Sequence, residues 1–190
     1  MIPILPNPHS TLTPAQIGNF KKFLVKENAL TADECDELIA YGWDKVVQAP
    51  NKHDKVFTML VDHHFLPADH KLHTKIEKLW EEAVEFFKFD VTFVEPYELK
   101  RYPTGGFFSP HIDNYHGLKL PVDRKISMTI QLTDPSEYED GYLVIGHNVK
   151  IAKTKGTAIF FPSFYPHYVE KITKGVRWVV ISWAWGPYWK

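Results

Sequence analysis

Cysteine is nearly absent from this chain of 190 residues, and long apolar runs are missing. The single cysteine, Cys35, excludes an internal disulfide. Charged or histidine side chains interrupt every apolar run well before the ~20 residues that a membrane helix needs. Residues 1–16 have neither the basic start nor the apolar run of a signal peptide. These absences predict a protein of the reducing cytoplasm that does not cross a membrane.

An excess of one charge sign is also missing. The chain carries 22 basic and 23 acidic residues, so no overall field attracts nucleic acid or an anionic membrane. Aromatic residues, in contrast, make up 15% of the chain and supply the area for a well-packed interior. At this length we expect a single domain, 1–190. The composition disfavours a nucleic-acid partner and leaves the oligomeric state open.

The first half of the predicted domain is helical. Prolines at three of the first eight positions predict an extended N-terminal arm over 1–28. Thr31 and Glu34 then have the spacing of a capping box at the start of a helix. A second helix is predicted by an apolar stripe at helical spacing, which consists of Leu72, Ile76, Leu79, Trp80, Ala83 and Phe87. We assign 29–90 as a helical support region.

The second half is predicted to form short strands. After residue 89 the apolar period shortens from helical to alternating, and Gly- and Asp-rich turns separate the segments. The predicted strands are 91–94, 97–102, 126–132, 142–145, 157–161 and 178–183. Helices followed by many short strands predict an α+β protein, mainly β. Its core over 91–187 is expected to be a double-stranded β-helix (jelly roll) buttressed by N-terminal helices.

Two candidate metal ligands lie two positions apart. In a strand, side chains alternate between faces, so His111 and Asp113 would share one face while Ile112 points away. A His-x-Asp triplet arises by chance in roughly one chain in two of this composition, so the spacing alone is weak evidence. A third candidate, His167, lies beyond several predicted strands. Two imidazoles and one carboxylate on one face of Fe(II) leave positions open for a bidentate 2-oxo acid and O₂.

Arg177 is the candidate for binding an anionic co-substrate. It follows His167 by ten residues, roughly 33 Å of extended chain, so a turn has to bring both side chains into one pocket. A guanidinium fork suits the distal carboxylate of a dicarboxylate whose 2-oxo end chelates the metal. Because its neighbours are apolar, an arginine here would be costly without an anionic partner.

These residues are part of an ordered series of motifs that spans about Leu99 to Trp185 and is far more specific than any single piece. The series comprises Leu-Lys-Arg-Tyr102, the Gly105/Gly106 turn, His111-x-Asp113-Asn114, Arg124-Lys-Ile-Ser-Met-Thr-Ile-Gln-Leu132, Gly141-Tyr-Leu-Val-Ile, Gly156-Thr-Ala-Ile-Phe-Phe-Pro162, His167 and Gly175-Val-Arg177. It resembles the iron(II)- and 2-oxoglutarate-dependent dioxygenases of the prolyl-4-hydroxylase type. The predicted helix that opens at Thr31 also looks like the capped helix that opens many members.

The resemblance implies an activity and its cofactors. It implies metal ligation by His111, Asp113 and His167 and co-substrate binding by Arg177. The reaction would convert 2-oxoglutarate and O₂ to succinate and CO₂ while an unactivated C–H bond is hydroxylated. Ascorbate (vitamin C) is an expected helper on the same grounds.

The sequence departs from the family at three positions. The usual tyrosine three residues before the first ligand is Phe108, a Gly-Gly pair is replaced by Asp140-Gly141, and Gln131 occupies a strand position that tyrosine often holds. In relatives that tyrosine can hydrogen-bond the co-substrate, and Gln131 is a candidate substitute. Tyr102 is a similar candidate for co-substrate binding.

Other histidines and aromatics have alternative interpretations. His63, His64, His70 and His73 form a second metal-like cluster, in which His70 and His73 would share a helix face, although a solvated helix start is the more frequent case. For His116 and His147 we expect surface or loop positions. Tyr115 and His116 are equally consistent with the pocket entrance and with a plain loop. We expect Trp183 in the core.

Three functions remain open at this point. The first is hydroxylation of a protein or peptide, with prolyl side chains as the model. The second is oxygenation of a small molecule or a nucleic-acid base, and the near-zero net charge disfavours the nucleic-acid case. The third is a catalytically silent jelly-roll binding module, against which the intact ligand set argues.

Overall fold

A computed structural model describes residues 23–48, 58–59, 61–114, 121–146 and 148–188. Within these residues the fold is mainly β, with two α-helices, α1 (Ala32–Gly42) and α2 (His73–Phe87). The strands are β1 (Leu24–Lys26), β2 (Val47–Gln48), β3 (Thr58–Met59), β4 (Asp62–Phe65), β5 (Phe93–Val94), β6 (Glu98–Tyr102), β7 (Phe107–His111), β8 (Val122–Gln131), β9 (Tyr138–Asp140), β10 (Leu143–Ile145), β11 (Val149–Lys150), β12 (Ala158–Pro162), β13 (His167–Val169), β14 (Ile172–Gly175) and β15 (Arg177–Pro187).

Helix α1 begins with the predicted capping box. The Thr31 hydroxyl accepts a hydrogen bond from the Glu34 amide, and the Glu34 carboxylate accepts one from the Thr31 amide. Two of the N–H groups that a helix start leaves without partners are thereby satisfied. Cys35 and Leu38 turn to the core and are fully buried. The predicted helix is confirmed.

Helix α2 buries the predicted apolar stripe. Ile76, Trp80 and Ala83 are buried, and glutamates and lysines occupy the opposite face. The helix begins at His73 without a side-chain cap. It ends at Lys88, whose φ of 58° lies in the left-handed region and whose amide donates to the Val84 carbonyl.

The strands form antiparallel sheets. The larger sheet has eight strands in the order β1-β12-β8-β15-β6-β4-β2, with β5 added alongside β15. A five-stranded sheet has the order β11-β10-β13-β7-β3, and β14 pairs with β9. Each of the six predicted strands is confirmed, as β5, β6, β8, β10, β12 and β15. The predicted arm 1–28 contributes strand β1 to the edge of the larger sheet, and the predicted helical region 29–90 also contains β2, β3 and β4.

Strand alternation gives the larger sheet two different faces. Ile130, Phe160 and Val180 point toward the helices, where they join one hydrophobic cluster with Leu38 and Trp80. The neighbouring strand positions point toward the five-stranded sheet and form a second cluster with it. The helices therefore cover one face of the larger sheet, and the space between the two sheets lies on the other.

No helix among the described residues combines the length and the apolar character that crossing a membrane requires.

Candidate metal centre

Three potential metal ligands converge at one end of the five-stranded sheet. His111 ends β7 and His167 begins β13, and the two are direct partners in the pairing of these strands. Asp113 lies in the bend that follows β7. The potential ligand atoms of the three residues all lie within 4.8 Å of one another, and among the described residues they form the one group of this kind. The sequence-predicted ligand set is thus assembled.

Backbone carbonyls orient both imidazoles. The Nδ1 of His111 lies 2.8 Å from the Ser109 carbonyl oxygen, and the Nδ1 of His167 lies 2.9 Å from that of Tyr165. A carbonyl oxygen can only accept, so each Nδ1 carries the proton and donates it. Each Nε2 is left as a lone-pair donor for a metal ion, the usual arrangement of metal-binding histidines.

The Asp113 carboxylate is fixed by a short polar chain. Its Oδ2 accepts a hydrogen bond of 2.6 Å from the Ser127 hydroxyl, which in turn lies 2.9 Å from the Ser163 hydroxyl. The Asp113 amide donates to the Ser163 carbonyl at 2.9 Å. Ser127 and Ser163 were missed by the sequence analysis. The available signal was the polar residues at alternate positions of a strand whose other side chains are Ile126, Met128 and Ile130.

The three side chains are electrostatically coupled. Burial alone would raise the pKa of Asp113, but the neighbouring imidazoles hold it well below its ordinary value. Burial alone would lower the pKa of His167, but the adjacent Asp113 carboxylate raises it. The Nε2 atoms of His111 and His167 lie 3.4 and 3.3 Å from the Asp113 oxygens. The ionised Asp113 carboxylate therefore favours a positive charge, such as a metal ion, between the three side chains.

The metal centre opens into a cavity of about 290 Å³ between the two sheets. This volume is at the lower end of the range for small-molecule sites, which is ~300–1,000 Å³. The wall includes the three ligands and Arg177, together with apolar side chains from both sheets, among them Phe108, Leu143, Phe161, Val169 and Val179. A small ligand with one or two polar groups fits such a wall.

Arg177 lies in the wall of this cavity, as predicted. It is 1% exposed, and its Nε and Nη1 atoms have no hydrogen-bond partner. Leaving a buried guanidinium without acceptors is unfavourable, so the site suits an anion such as a carboxylate. The Arg177 Cζ lies 5.2 Å from the centre of the Tyr102 ring.

The two accessory candidates occupy different positions. Tyr102 lines the cavity, and burial raises the pKa of its phenol to about 12, so it is a neutral hydrogen-bonding group. Gln131 is buried with its Oε1 atom unpartnered, but it is not among the residues that line the cavity. Its contact with a co-substrate stays a prediction.

The expectation that Trp183 belongs to the core is wrong. Trp183 is half-buried and lines the cavity, and the Arg124 guanidinium lies 3.8 Å from its ring centre. Arg124 also binds Glu95 through two hydrogen bonds of 2.7 and 3.0 Å. Strand alternation explains the error, because Trp178, five residues earlier, points to the opposite face and is the core residue.

The second histidine cluster does not converge. His70 lies in the turn before α2 and His73 is the first residue of the helix, so the predicted shared helix face does not exist. His63 instead lies 2.6 Å from the Glu98 carboxylate in the neighbouring strand. His70 and His73 pack against the rings of tyrosines, Tyr41 and Tyr97. Tyr115, His116 and His147 lie outside the described residues.

The residues present fit Fe(II) and a 2-oxo dicarboxylate. Two imidazoles and a carboxylate are the donor set of the facial arrangement, which leaves positions open for exchangeable ligands. A closed four-ligand structural site is not formed by the described residues. The Nε and Nη1 atoms of Arg177, which lack hydrogen-bond partners in the same cavity, suit a carboxylate.

Comparison with known proteins supports the same reading. Residues 97–185 match the sequence model of the 2OG-Fe(II) oxygenase superfamily. A PKHD-type hydroxylase of Gluconobacter oxydans is 35% identical over 98 residues, which cover 48% of this chain and 43% of that protein. The chain thus spans less than half the length of this curated relative.

Solved structures resemble the fold over most of the chain. A viral collagen prolyl hydroxylase from Paramecium Bursaria Chlorella virus-1, solved as a 2OG complex, has a TM-score of 0.71 at 19% identity and covers 88% of this chain and 97% of its own. A prolyl hydroxylase of Trichoplax adhaerens, in complex with a hypoxia inducible factor peptide fragment, has a TM-score of 0.64 at 16% identity and covers 92% and 94%. At these identities the likeness concerns the fold.

Proposed function

We propose that this chain is an Fe(II)- and 2-oxoglutarate-dependent hydroxylase of an unactivated C–H bond. The premise is that it belongs to the 2OG-Fe(II) oxygenase superfamily and is of the prolyl-4-hydroxylase type. The observation that carries this proposal is the convergence of His111, Asp113 and His167 in the same cavity as Arg177, whose buried Nε and Nη1 atoms have no hydrogen-bond partner.

Each of these residues has a distinct task. The Nε2 atoms of His111 and His167 and the Asp113 carboxylate would hold Fe(II), which when bound supplies the redox chemistry that activates O₂. Arg177 would bind the distal carboxylate of 2-oxoglutarate, with Tyr102 as a neighbouring neutral group. Apolar side chains form much of the wall around them and would limit the access of bulk water to the reacting groups.

The substrate we propose is a protein or peptide, with a prolyl side chain as the model. Similar solved proteins are named prolyl hydroxylases, and one of them holds a peptide. A small molecule is the alternative substrate. We further propose the finer fold assignment, a double-stranded β-helix (jelly roll) over 91–187 supported by 29–90, with ascorbate as a helper and a cytoplasmic location.

Uncoupled turnover tests the metal centre. Protein supplied with Fe(II) and 2-oxoglutarate should form succinate slowly even without a second substrate, and His167→Ala should abolish this because one ligand is lost. His73→Ala is the matched control, since His73 lies away from the cavity. Unchanged succinate formation in His167→Ala would remove His167 from the metal centre.

Binding measurements test the co-substrate site. Arg177→Leu should weaken 2-oxoglutarate binding by roughly 30-fold or more, because losing one partner of a buried charge pair costs ~2–5 kcal/mol. Metal binding should change far less, because Arg177 is not a ligand. Equal affinity for 2-oxoglutarate in the two proteins would contradict the assignment.

Product analysis separates the two substrate classes. Proline-containing peptides incubated with the active protein should gain one oxygen atom, detectable by mass spectrometry, while succinate formation rises above the uncoupled rate. Stimulation by small amines or acids, with no peptide modified, would favour the small-molecule alternative.

A further inference from the structure

Tyr138 is a buried phenol next to the predicted co-substrate site. It begins strand β9, is 3% exposed and belongs to the hydrophobic cluster between the sheets. Its direct partner in the pairing of β9 with β14 is Gly175, two residues before Arg177. The Lys153 ammonium lies 4.2 Å from the Tyr138 ring centre and donates to the Tyr138 carbonyl. Both the backbone and the ring are therefore held in place.

Two unsatisfied polar groups coincide here. The Tyr138 hydroxyl is buried and makes no hydrogen bond of standard geometry, and the same holds for the Nε and Nη1 atoms of Arg177. Buried polar groups are nearly always paired, so such a combination calls for an explanation. A phenol oxygen can accept and a guanidinium can only donate, which makes the two groups complementary.

Strand pairing brings the two groups near each other, because Tyr138 lies opposite Gly175, two residues before Arg177. Burial raises the pKa of the Tyr138 phenol, and both the positive charge of Arg177 and a hydrogen-bonding interaction with its guanidinium act in the opposite direction. Arg177 acts in the same way on Tyr102, whose ring centre is 5.2 Å from the guanidinium carbon. Of these two phenols, Tyr102 lines the cavity together with Arg177, and Tyr138 is not among the lining residues.

We propose that Tyr138 is a positioning residue for the co-substrate: its hydroxyl accepts a hydrogen bond from Arg177 and so fixes the guanidinium with one edge toward the distal carboxylate. A carboxylate engages two of the five N–H groups of an arginine, so the remaining donors need acceptors of their own. Tyr138 supplies one of them from outside the cavity. This inference rests on the proposed function of Arg177.

The substitution Tyr138→Phe removes the hydroxyl and little else. The probes are 2-oxoglutarate and 2-oxopentanoate, a five-carbon 2-oxo acid without the distal carboxylate, titrated calorimetrically into protein loaded with Mn(II). We expect the affinity for 2-oxoglutarate to fall about tenfold, as for the loss of one hydrogen bond to a charged group. Affinities for 2-oxopentanoate and Mn(II) should stay unchanged, because neither involves Arg177.

Two companion variants make the test specific. Tyr142→Phe removes a half-buried phenol from the same segment, one whose ring faces Lys150 and Lys153, and should leave both affinities unchanged. In an Arg177→Lys background, Tyr138→Phe should have little further effect on the affinity for 2-oxoglutarate, because lysine has no guanidinium for Tyr138 to orient. Urea denaturation of each variant shows that the fold is retained.

Each outcome has one meaning. Equal weakening of both 2-oxo acids would make Tyr138 a merely structural residue, and unchanged 2-oxoglutarate affinity would show that its hydroxyl has no part in binding. Either result overturns this inference while the proposed function stands. If the unaltered protein itself fails to prefer 2-oxoglutarate over 2-oxopentanoate, the assignment of Arg177 falls and the role of Tyr138 falls with it.

Discussion

Replacing Ser127 with alanine isolates one support of the metal centre. The Ser127 hydroxyl donates to the Asp113 carboxylate at 2.6 Å and is 1% exposed. The Asp113 backbone amide is held separately by the Ser163 carbonyl. The substitution therefore leaves the backbone anchored and frees only the carboxylate.

The expected magnitude follows from the charge on the acceptor. A hydrogen bond to an ionised group contributes ~1.5–3 kcal/mol, and each ~1.4 kcal/mol is a factor of ten in binding. Loss of groups that orient metal ligands typically reduces metal affinity about 10–100-fold. We expect Ser127→Ala to weaken Mn(II) or Fe(II) binding by a factor in this range.

Calorimetric titration of metal into the metal-free protein measures the effect, with Ser163→Ala as the matched control. The Ser163 hydroxyl contacts only Ser127 in this chain of hydrogen bonds, and Ser163→Ala keeps the backbone carbonyl that accepts from the Asp113 amide. Metal affinity should therefore fall by about threefold or less in this variant. Metal affinity that is unchanged in Ser127→Ala, or lowered equally by both variants, would refute the reasoning.

Three further predictions concern stability and are measured by urea denaturation. Gly156→Ala should lower the free energy of unfolding by ~1–3 kcal/mol, because φ is +77° and a Cβ would lie 2.1 Å from the Leu30 carbonyl oxygen. The control Gly146→Ala is also at positive φ but has open space around the Cβ, so its loss of stability should be smaller. Thr31→Ala should cost ~1 kcal/mol through loss of the capping box, whereas Thr31→Ser should be nearly neutral. Phe160→Ala should lower the free energy of unfolding by ~3–5 kcal/mol, because Phe160 is fully buried against Trp80. The control Phe65→Ala, at an exposed position, should lower it by about 0.5 kcal/mol or less. Equal losses in a variant and its control would contradict the corresponding argument.

The elements that could be predicted are those whose buried residues recur at a regular spacing in the sequence. Helix α2 has one apolar stripe, and β12 and β15 are long enough to carry a strand signal. Strands β7 and β13, which present the two histidines, were not predicted. β13 has three residues, and β7 contains Pro110, which usually argues against a strand interior. Their pairing depends on contacts between residues more than fifty positions apart, which no local pattern records.

The convergence of the three candidate ligands was predicted partly for the wrong reason. Strand alternation was expected to place His111 and Asp113 on one face, but the strand ends at His111. What directs the Asp113 side chain is the bend held by the Ser163 carbonyl and the hydroxyl of Ser127, both supplied by distant segments. The residue types and their order were enough to select these three residues as candidate ligands, whereas the geometry that brings them together depends on tertiary contacts.

The two faces of the larger sheet explain why the site lies where it does. On the helix side, β8 and β15 bury Ile130 and Val180, which pack against the helices and make the sheet a rigid wall. On the other side the same strands present Ser127 and Arg177, which would be costly in a core and are tolerated because they face a cavity. A polar face on a strand that is buried throughout is therefore a signal of a ligand site. β8 carries this signal in its sequence, and it points to the cavity independently of the His-x-Asp motif.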